Sequence, residues 1–153
     1  MKYTVSTEIN APLEKVVELF DNPDNYKYWQ KGLQSIKYLE GKPCHPGAKS
    51  ELTFLIGKKN MVITEVVKTR NLPEEYETTF NTDLMFNVVK TRIKSKDANT
   101  TLFITDQEIN CIGWFKLTGW LFPKMFKKQS AKYLADFKEF VENYSVDINP
   151  DPN

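Results

Sequence analysis

Residues that bind metals or form disulfides are scarce in this chain of 153 residues. His45 is the only histidine, and the two cysteines, Cys44 and Cys111, lie far apart in the sequence. One histidine beside one cysteine does not supply the ligands of a zinc site, so we predict no metal and no fixed cofactor. We expect the loop that carries Cys44 and His45 to be exposed, and Cys111 to be a small buried hydrophobic residue.

The chain also lacks an excess of either charge and a long hydrophobic run. Its 21 Lys and Arg balance 20 Asp and Glu, which argues against a nucleic acid as partner. The most apolar stretch, residues 112–122, is interrupted by Lys116 and is shorter than the roughly 20 residues of a membrane-spanning helix. No apolar segment of a secretory signal follows Lys2, so we expect a cytoplasmic protein.

Aromatic residues, by contrast, are abundant and make up 13% of the sequence. This is more large flat side chains than a tight core of this size needs, which indicates a lined cavity. The length suits one hydrophobic core. We therefore predict a single domain over residues 1–146 and a frayed tail over residues 147–153, which hold two prolines and no apolar cluster.

Periodic patterns divide the chain into elements. Residues 2–9 alternate as a half-covered strand does, and Pro12 then begins a short amphipathic helix that ends near Asp21. A second short helix begins near Pro23 and ends near Trp29. Six further strands follow, separated by turn residues, at 33–39, 49–56, 60–69, 74–82, 86–95 and 100–111.

Beyond Lys116 the apolar period becomes that of a long helix, which Pro123 either begins or kinks. Its apolar stripe is centred on Phe137 and includes Phe126, Tyr133, Leu134, Phe140, Val141 and Tyr144. An antiparallel sheet needs cover on its apolar face, and this helix can provide it. The predicted fold is α+β, with a seven-stranded antiparallel sheet curled around the C-terminal helix and two short helices after the first strand.

The order of several local features is typical of one family. These features are the helix start Asn10-Ala11-Pro12, the short aromatic helix that ends at Trp29, Gly47 ahead of the antiparallel run, and Phe122-Pro123 ahead of a basic amphipathic helix. Together they resemble the START-like helix-grip superfamily (SRPBCC), and within it the polyketide cyclase/dehydrase and lipid-transport branch.

The resemblance covers residues 2–144. It implies the helix-grip fold and a cavity for a hydrophobic ligand between the sheet and the last helix. The family includes lipid carriers, aromatase/cyclases, plant ligand binders and chaperone-associated members, and no catalytic residue is common to all of them. Membership by itself therefore does not distinguish an enzyme from a binding protein.

Strand alternation assigns the side chains that face the predicted cavity, because the more charged set of each strand is turned toward water. Ten of them come from the strands: Phe54, Tyr76, Thr78, Phe80, Val89, Thr91, Phe103, Thr105, Gln107 and Ile109. Trp114 and Phe126 are added from the segments that follow. The polar members would orient a mostly apolar ligand through a few hydrogen bonds, or they are ordinary cross-strand pairs.

The strand at residues 60–69 has two nearly equal faces, so its facing stays open. If Glu65 points inward, it is a carboxylate in an apolar site, where its pKa would be raised into the range that suits acid or base catalysis. Glu65 is therefore the one candidate for a catalytic residue. A carboxylate that reaches the sheet end and solvent is the ordinary alternative.

The segment from Trp114 to Lys132 interleaves aromatic residues with lysines and contains no acid. Such a composition suits a segment that lies on anionic lipid. Alternatively, its aromatic residues cover the core or the cavity mouth while the lysines extend into solvent. We favour the second interpretation, because the apolar stripe continues into Tyr133 and Phe137.

These observations predict a module that binds or transports a small hydrophobic or amphipathic molecule, such as a lipid. One alternative is a cyclase- or dehydratase-like enzyme that acts on a hydrophobic, polyketide-like substrate through a cavity carboxylate or hydroxyl. A peripheral membrane-surface protein is the other. The identity of the ligand, the oligomeric state and any protein partner stay open.

Overall fold

Seven strands and four α-helices follow one another in the computed structural model, which describes residues 1–144. The strands are β1 (Lys2–Ile9), β2 (Leu33–Glu40), β3 (Lys49–Ile56), β4 (Lys59–Asn71), β5 (Glu75–Asn81), β6 (Met85–Asp97) and β7 (Thr100–Cys111). The α-helices are α1 (Leu13–Phe20), α2 (Tyr26–Trp29), α3 (Phe115–Thr118) and α4 (Pro123–Asn143), and single 3-10 turns lie at Pro23–Asn25 and Gly119–Leu121.

The strands form one antiparallel sheet in the order β1-β7-β6-β5-β4-β3-β2. Consecutive strands from β2 to β7 are neighbours, and β1 joins the sheet beside β7. The long helix α4 packs chiefly on β1 and, to a smaller extent, on α2 and α1. This is the predicted α+β helix-grip fold, with the sheet curled around the C-terminal helix, and the prediction is confirmed.

Local sequence signals account for most of the boundaries. The Asn22 side chain accepts a hydrogen bond from the Asp24 backbone N–H at 3.0 Å and so caps the turn before α2. Pro123 begins α4 and does not kink it, because its missing N–H costs nothing in the first turn of a helix. Residues 115–121 form two separate short turns instead of the start of α4. The predicted tail at 147–153 lies outside the described residues.

The core lies where three helices meet β7. The Phe137 side chain is fully buried, and its ring centroid lies 4.9 Å from that of Phe103, 4.7 Å from that of Trp29 and 5.9 Å from that of Phe20. Edge-to-face and tilted contacts of this kind stabilise aromatic clusters beyond the area they bury. The predicted centre of the α4 stripe is therefore the centre of the core.

The helix α4 runs in the same direction as β1. The Tyr3 hydroxyl lies 2.9 Å from the Ser130 hydroxyl, and the Lys138 ammonium donates to the Glu8 carbonyl at 2.7 Å. Two ends of the molecule follow from this alignment. We call the end with the last residue of β1 and the last turn of α4 the packed end. The open end carries the β3–β4 and β5–β6 connections and the chain from β7 to α4.

At the open end, Gly32 joins α2 to β2 with a φ of +90° and accepts a hydrogen bond from the Leu55 backbone N–H at 2.8 Å. A Cβ at Gly32 would lie 2.9 Å from the Leu55 carbonyl oxygen, so both the φ and the close approach require glycine. Within residues 1–144, no helix has the length and apolar content needed to cross a membrane.

Candidate functional site

The inner face of the sheet changes in burial between its two ends. Toward the packed end, Val67, Tyr76, Ile93 and Phe103 are buried under the helices. Toward the open end, the inward side chains are only half-buried, namely Phe54, Met61, Ile63, Glu65, Phe80, Asn87 and Val89. We call this second set the groove. Because α4 packs chiefly on β1, it leaves the inner face of β3 to β6 partly uncovered at this end.

The predicted facing agrees with the alternating burial of β7 and with the burial of Tyr76, Thr78, Thr91 and Ile93, whereas residues 85–90 of β6 are all half-buried and Thr79 on β5 is buried as well. Among the predicted cavity residues, Phe54, Phe80 and Val89 lie in the groove. Thr78, Gln107 and Ile109 lie on the same face and are buried, whereas Tyr76, Thr91, Thr105 and Phe103 lie farther toward the packed end. The groove therefore begins with apolar side chains and becomes more polar inward. A role in ligand contact stays a prediction for each of these residues.

Trp114 and Phe126 lie apart from this face. Trp114 precedes α3 with 66% of its surface exposed, and Phe126 is half-buried in the second turn of α4. The Phe126 ring lies 6.4 Å from that of Phe115, which in turn lies 5.7 Å from that of Trp114. These three aromatic residues form a small cluster at the open end, beside the strands of the groove and not among them.

One hydroxyl group deep on the inner face, that of Thr105, has no hydrogen-bond partner among the described residues. The Tyr76 hydroxyl lies in the same row, with Thr91 between the two residues, and is close enough to the Cys44 thiol for a weak hydrogen bond. Burying a hydroxyl without a partner costs free energy, so such groups in a native protein indicate a bound molecule or water. This row marks the inner, polar limit of the open face.

A side-chain oxygen without a hydrogen-bond partner also lies within the groove itself. The Asn87 amide donates to the Gln107 side-chain oxygen at 2.9 Å, while the Asn87 oxygen accepts no hydrogen bond from a described residue. The Asn87 oxygen is therefore a buried acceptor without a donor among the described residues. Sequence alternation placed Asn87 on the inner face, but its amide was not among the predicted contacts.

The structure resolves the ambiguity of β4: Met61, Ile63, Glu65 and Val67 face inward, and Val62 is 52% exposed on the other side. Glu65 lies between Ser50 on β3 and Phe80 on β5. It forms no salt bridge or side-chain hydrogen bond with a described residue, and burial raises its pKa from 4.5 to about 7. A carboxyl group with this pKa exists in both protonation states near neutral pH, which suits acid or base chemistry.

Three tyrosines lie near enough to Glu65 for its charge to affect their pKa values. Burial raises the pKa of Tyr26, Tyr76 and Tyr133, and the negative charge of Glu65 raises each of them further. Tyr133 reaches this region from α4, where its ring lies 4.8 Å from that of Trp29. We call these three neutral phenols and the Glu65 carboxyl the polar cluster.

Cys44 belongs to the same cluster. The loop that carries it is exposed at Gly41, Lys42, Pro46 and Gly47 as predicted, but the prediction is wrong for Cys44 itself. The Cys44 side chain is buried, and its sulfur lies 3.5 Å from the Tyr26 hydroxyl. Burial raises the pKa of the thiol, which keeps it protonated and unreactive. The loop sequence contains no signal for this placement, because it depends on a contact with a helix that lies 18 residues earlier. Cys111, expected to be buried, is half-buried.

The segment after β7 also differs from the favoured interpretation. The aromatic residues of this segment were expected to cover the core or the cavity mouth, but Trp114 and Phe122 are 66% and 38% exposed, and the neighbouring Leu121 and Met125 are 57% and 53% exposed. Leu117 is 76% exposed. The reason is geometric, because the segment is held close to the end of β7: a Cβ at Gly119 would lie 2.5 Å from the Cys111 sulfur. The side chains of this segment that point away from β7 therefore extend into solvent and do not pack on the core.

The groove and its surroundings offer no set of metal ligands among the described residues. Within residues 1–144, no three His, Cys, Asp or Glu side chains cluster as metal ligands would. The arrangement can instead hold an apolar body along Phe54, Ile63 and Val89, and hydrogen-bond a polar group near Glu65.

The fold and the groove define a helix-grip protein with an inner face that is open at one end. Sequence comparison agrees: the model of the family described as polyketide cyclase / dehydrase and lipid transport matches residues 1–142. The chain belongs to this family. The description of this family covers both cyclase or dehydrase chemistry and lipid transport. A comparison with curated proteins finds no match.

Solved structures with low sequence identity share the fold. The ZhuI aromatase/cyclase from Streptomyces sp. R1128 superposes with a TM-score of 0.79 at 10% identity, covering 93% of each chain. A START superfamily protein from Mycobacterium smegmatis gives a TM-score of 0.66 at 16% identity, covering 92% of this chain and 94% of the other. Ara h 8.0201 gives 0.73 at 14% identity, covering 94% and 99%. At these identities the likeness establishes the fold.

Proposed function

We propose that this protein binds one small, mostly apolar molecule with a polar group at one end, and that it acts as a carrier or binding module. The observation that carries the proposal is the change in burial along the inner face, from half-buried apolar side chains to buried polar groups without partners. Ligand sites are mostly apolar with a few fixed polar groups that orient the ligand.

The proposal assigns an orientation to the ligand. Its apolar body lies along Phe54, Ile63, Phe80 and Val89, where water is displaced from half-buried apolar surface. Its polar group lies beside the Glu65 carboxyl, the innermost groove residue of β4, which forms no salt bridge or side-chain hydrogen bond with a described residue. The membership in a family that includes lipid transport supports this assignment.

A neutral fluorophore tests the site without knowledge of the natural ligand. N-phenyl-1-naphthylamine should bind with a stoichiometry of one and with a blue-shifted, enhanced emission. The Val89→Trp variant places a bulky ring in the groove and should abolish this binding while the circular dichroism spectrum persists.

The neighbouring residue provides a matched control. Val88 is also half-buried, but it faces the outer side of β6, where it lines a shallow depression with Lys2, Glu77 and Lys90. The Val88→Trp variant should therefore bind the fluorophore as the parent does. Equal binding by the parent and by Val89→Trp would place the dye elsewhere and contradict the proposal.

A second candidate function is a cyclase- or dehydratase-like enzyme that uses Glu65. The specific observation in its favour is the Glu65 carboxyl, which faces the groove with a pKa of about 7 and has no basic partner among the described residues. Such a group can donate or accept a proton at neutral pH. The likeness to an aromatase/cyclase supports the same reading at the level of the fold.

Native mass spectrometry of protein purified from its own host distinguishes the two functions. A carrier should retain the same small molecule in the parent and in Glu65→Gln, because the amide keeps the shape of the side chain. An enzyme should retain different molecules, with the unreacted substrate enriched in Glu65→Gln. Identical molecules in both would reject the catalytic role of Glu65.

A further inference from the structure

Exposed apolar side chains concentrate at the open end of the molecule. Nine large hydrophobic residues with more than a third of their surface exposed lie there: Leu55, Ile56, Leu84, Ile112, Trp114, Leu117, Leu121, Phe122 and Met125. They come from three separate connections, those of β3 to β4, β5 to β6 and β7 to α4. Single exposed apolar residues are ordinary, but a contiguous set on one end marks an interaction site.

Lysines accompany these apolar side chains. Lys58, Lys59, Lys116, Lys124, Lys127 and Lys128 are all exposed. Asp83 is the one acid in the three connections. None of the six lysines forms a salt bridge with another residue of the described chain. We call these lysines and the nine apolar residues the basic apolar patch.

The near-neutral total charge hides a strong asymmetry. Residues 109–135 contain five lysines and no acid, which leaves 16 Lys and Arg against 20 Asp and Glu in the rest of the chain. The open end is therefore positive while the remainder is negative. An anionic surface would attract this end and repel the other, so the charge distribution also orients the protein.

We propose that the basic apolar patch docks on an anionic membrane surface. The composition fits this occupant, because aromatic and aliphatic side chains insert at the boundary of headgroups and acyl chains while lysines contact anionic headgroups. A second copy of this chain would fit less well, since self-association through the patch would bring two sets of six lysines together with only Asp83 of each copy to balance them.

Docking in this orientation places the opening of the groove against the bilayer. Phe54 and Met61 flank the β3–β4 hairpin that carries Leu55 and Ile56, and Asn87 and Ile109 lie next to the β5–β6 connection and the end of β7. A hydrophobic ligand could then pass between bilayer and groove without crossing water. This consequence rests on the proposed binding function, whereas the docking itself does not.

Vesicle co-sedimentation tests the docking. The parent should bind vesicles of phosphatidylcholine with 30% phosphatidylglycerol, and binding should weaken steeply as salt is raised. Each lysine near the surface contributes about fivefold in affinity, so reversing Lys124, Lys127 and Lys128 to Glu should lower binding by at least about a hundredfold.

A matched charge control uses lysines away from the patch. The triple variant Lys37→Glu, Lys68→Glu, Lys94→Glu changes the net charge equally, and these three exposed residues form no salt bridge with a described residue. It should retain most of the vesicle binding. Equal losses in both triple variants would show a response to net charge alone and would overturn the docking site.

A second pair of variants tests the apolar part. Trp114→Gln with Leu117→Gln should lose vesicle binding and the accompanying blue shift of tryptophan fluorescence. Tyr38→Gln with Leu39→Gln, two residues exposed by 49% and 39% at the other end of the molecule, should not. Absence of binding by the parent at low salt would overturn the proposal. So would a concentration-dependent dimer in sedimentation velocity that disappears in Trp114→Gln with Leu117→Gln, because the patch would then be a protein interface.

The binding of N-phenyl-1-naphthylamine in solution separates this proposal from the proposed function. The patch variants should bind the fluorophore as the parent does, since their substitutions lie outside the groove. Loss of vesicle binding with intact dye binding supports docking as a separate property. Vesicle binding that persists in the Val89→Trp variant, which no longer binds dye, would support docking even if the ligand proposal fails.

Discussion

The two ends of the same sheet are built differently. At the packed end, the ring centroid of Phe137 lies less than 5 Å from those of Phe103 and Trp29, and none of the three side chains is more than 1% exposed. At the open end, Phe54 and Phe80 face the same interior but are half-buried. The comparison shows that aromatic abundance serves two purposes here: one part closes the core, and the other lines accessible surface.

The helix α4 runs through both regions, and the burial of its side chains differs between them. Its second half buries Leu134, Phe137 and Val141, whereas its first two turns expose Met125 and three lysines. Stability and interaction are therefore separated along one helix. Substitutions at the packed end should change the free energy of unfolding, and those at the open end should change binding.

The largest expected effect concerns the centre of the core. Phe137→Ala should lower the free energy of unfolding by about 3 to 5 kcal/mol, because it leaves a cavity among three rings that are themselves buried. Chemical denaturation measures this change. The matched substitution on the same helix, Phe126→Ala, should cost about 1 kcal/mol, since its side chain is half-buried. Equal costs for the two would remove the distinction between the ends.

The next effect is a pH dependence that arises at Glu65. Its pKa is about 7 in the folded protein against an ordinary value of 4.5, so the folded state favours the protonated carboxyl. This stabilisation is fully present below pH 4.5 and is lost as pH rises through about 7. At about 1.4 kcal/mol per unit the full shift is roughly 3 kcal/mol, and partial access to water reduces it to about 2.

The Glu65→Gln variant should remove this loss of stability between pH 5 and pH 8. Glu51→Gln is the matched control, because Glu51 lies on the adjacent strand and faces outward. Urea denaturation at several pH values gives the comparison. If the parent and Glu65→Gln show the same change of stability with pH, the Glu65 carboxyl is well solvated. The groove would then not be the apolar site described.

A smaller effect is expected at the boundary between the two regions. Tyr3→Phe removes the hydrogen bond between the Tyr3 and Ser130 hydroxyls, and should cost about 1 kcal/mol. Ser130→Ala should cost a similar amount, and the double variant should cost less than the two together, because both substitutions remove the same interaction. Additive costs would indicate that the two hydroxyls do not interact.

The smallest expected effect is at the open end. Leu117→Gln should change the free energy of unfolding by less than about 0.5 kcal/mol, because the side chain is 76% exposed. Thermal unfolding of Leu134→Gln, whose side chain is fully buried on α4, provides the contrast. A large cost at Leu117 would mean that this side chain packs in the core and that the basic apolar patch is smaller than described.

Local periodicity predicted most of the fold. The strands β3 and β7 were predicted with their observed bounds, because turn residues flank them and their alternation is regular. The facing of β4 could not be predicted, since Val62, Thr64 and Val66 are nearly as apolar as the inward set and only the neighbouring strands decide the register.

The site was less predictable than the fold. Alternation predicted the inward residues of β5, β6 and β7. It could not predict which part of each strand is covered by the helices and which part is left accessible. Cys44 and Tyr133 reach the polar cluster through contacts between distant segments, and the exposure of Trp114 depends on how closely the chain after β7 is held. Each of these is a property of tertiary packing and leaves no local signal.

The central claim is that the accessible interior lies at one end of the sheet. A titration of ¹⁵N-labelled protein with N-phenyl-1-naphthylamine, followed residue by residue in NMR spectra, tests it most directly. The account predicts saturable shifts at the amides of Phe54, Ile63, Phe80 and Val89, with little change at Ile9, Ile93 and Val141. Shifts centred on the core would contradict the claim. So would shifts centred on the surface depression between α2 and α4, which Tyr28 and Phe140 line.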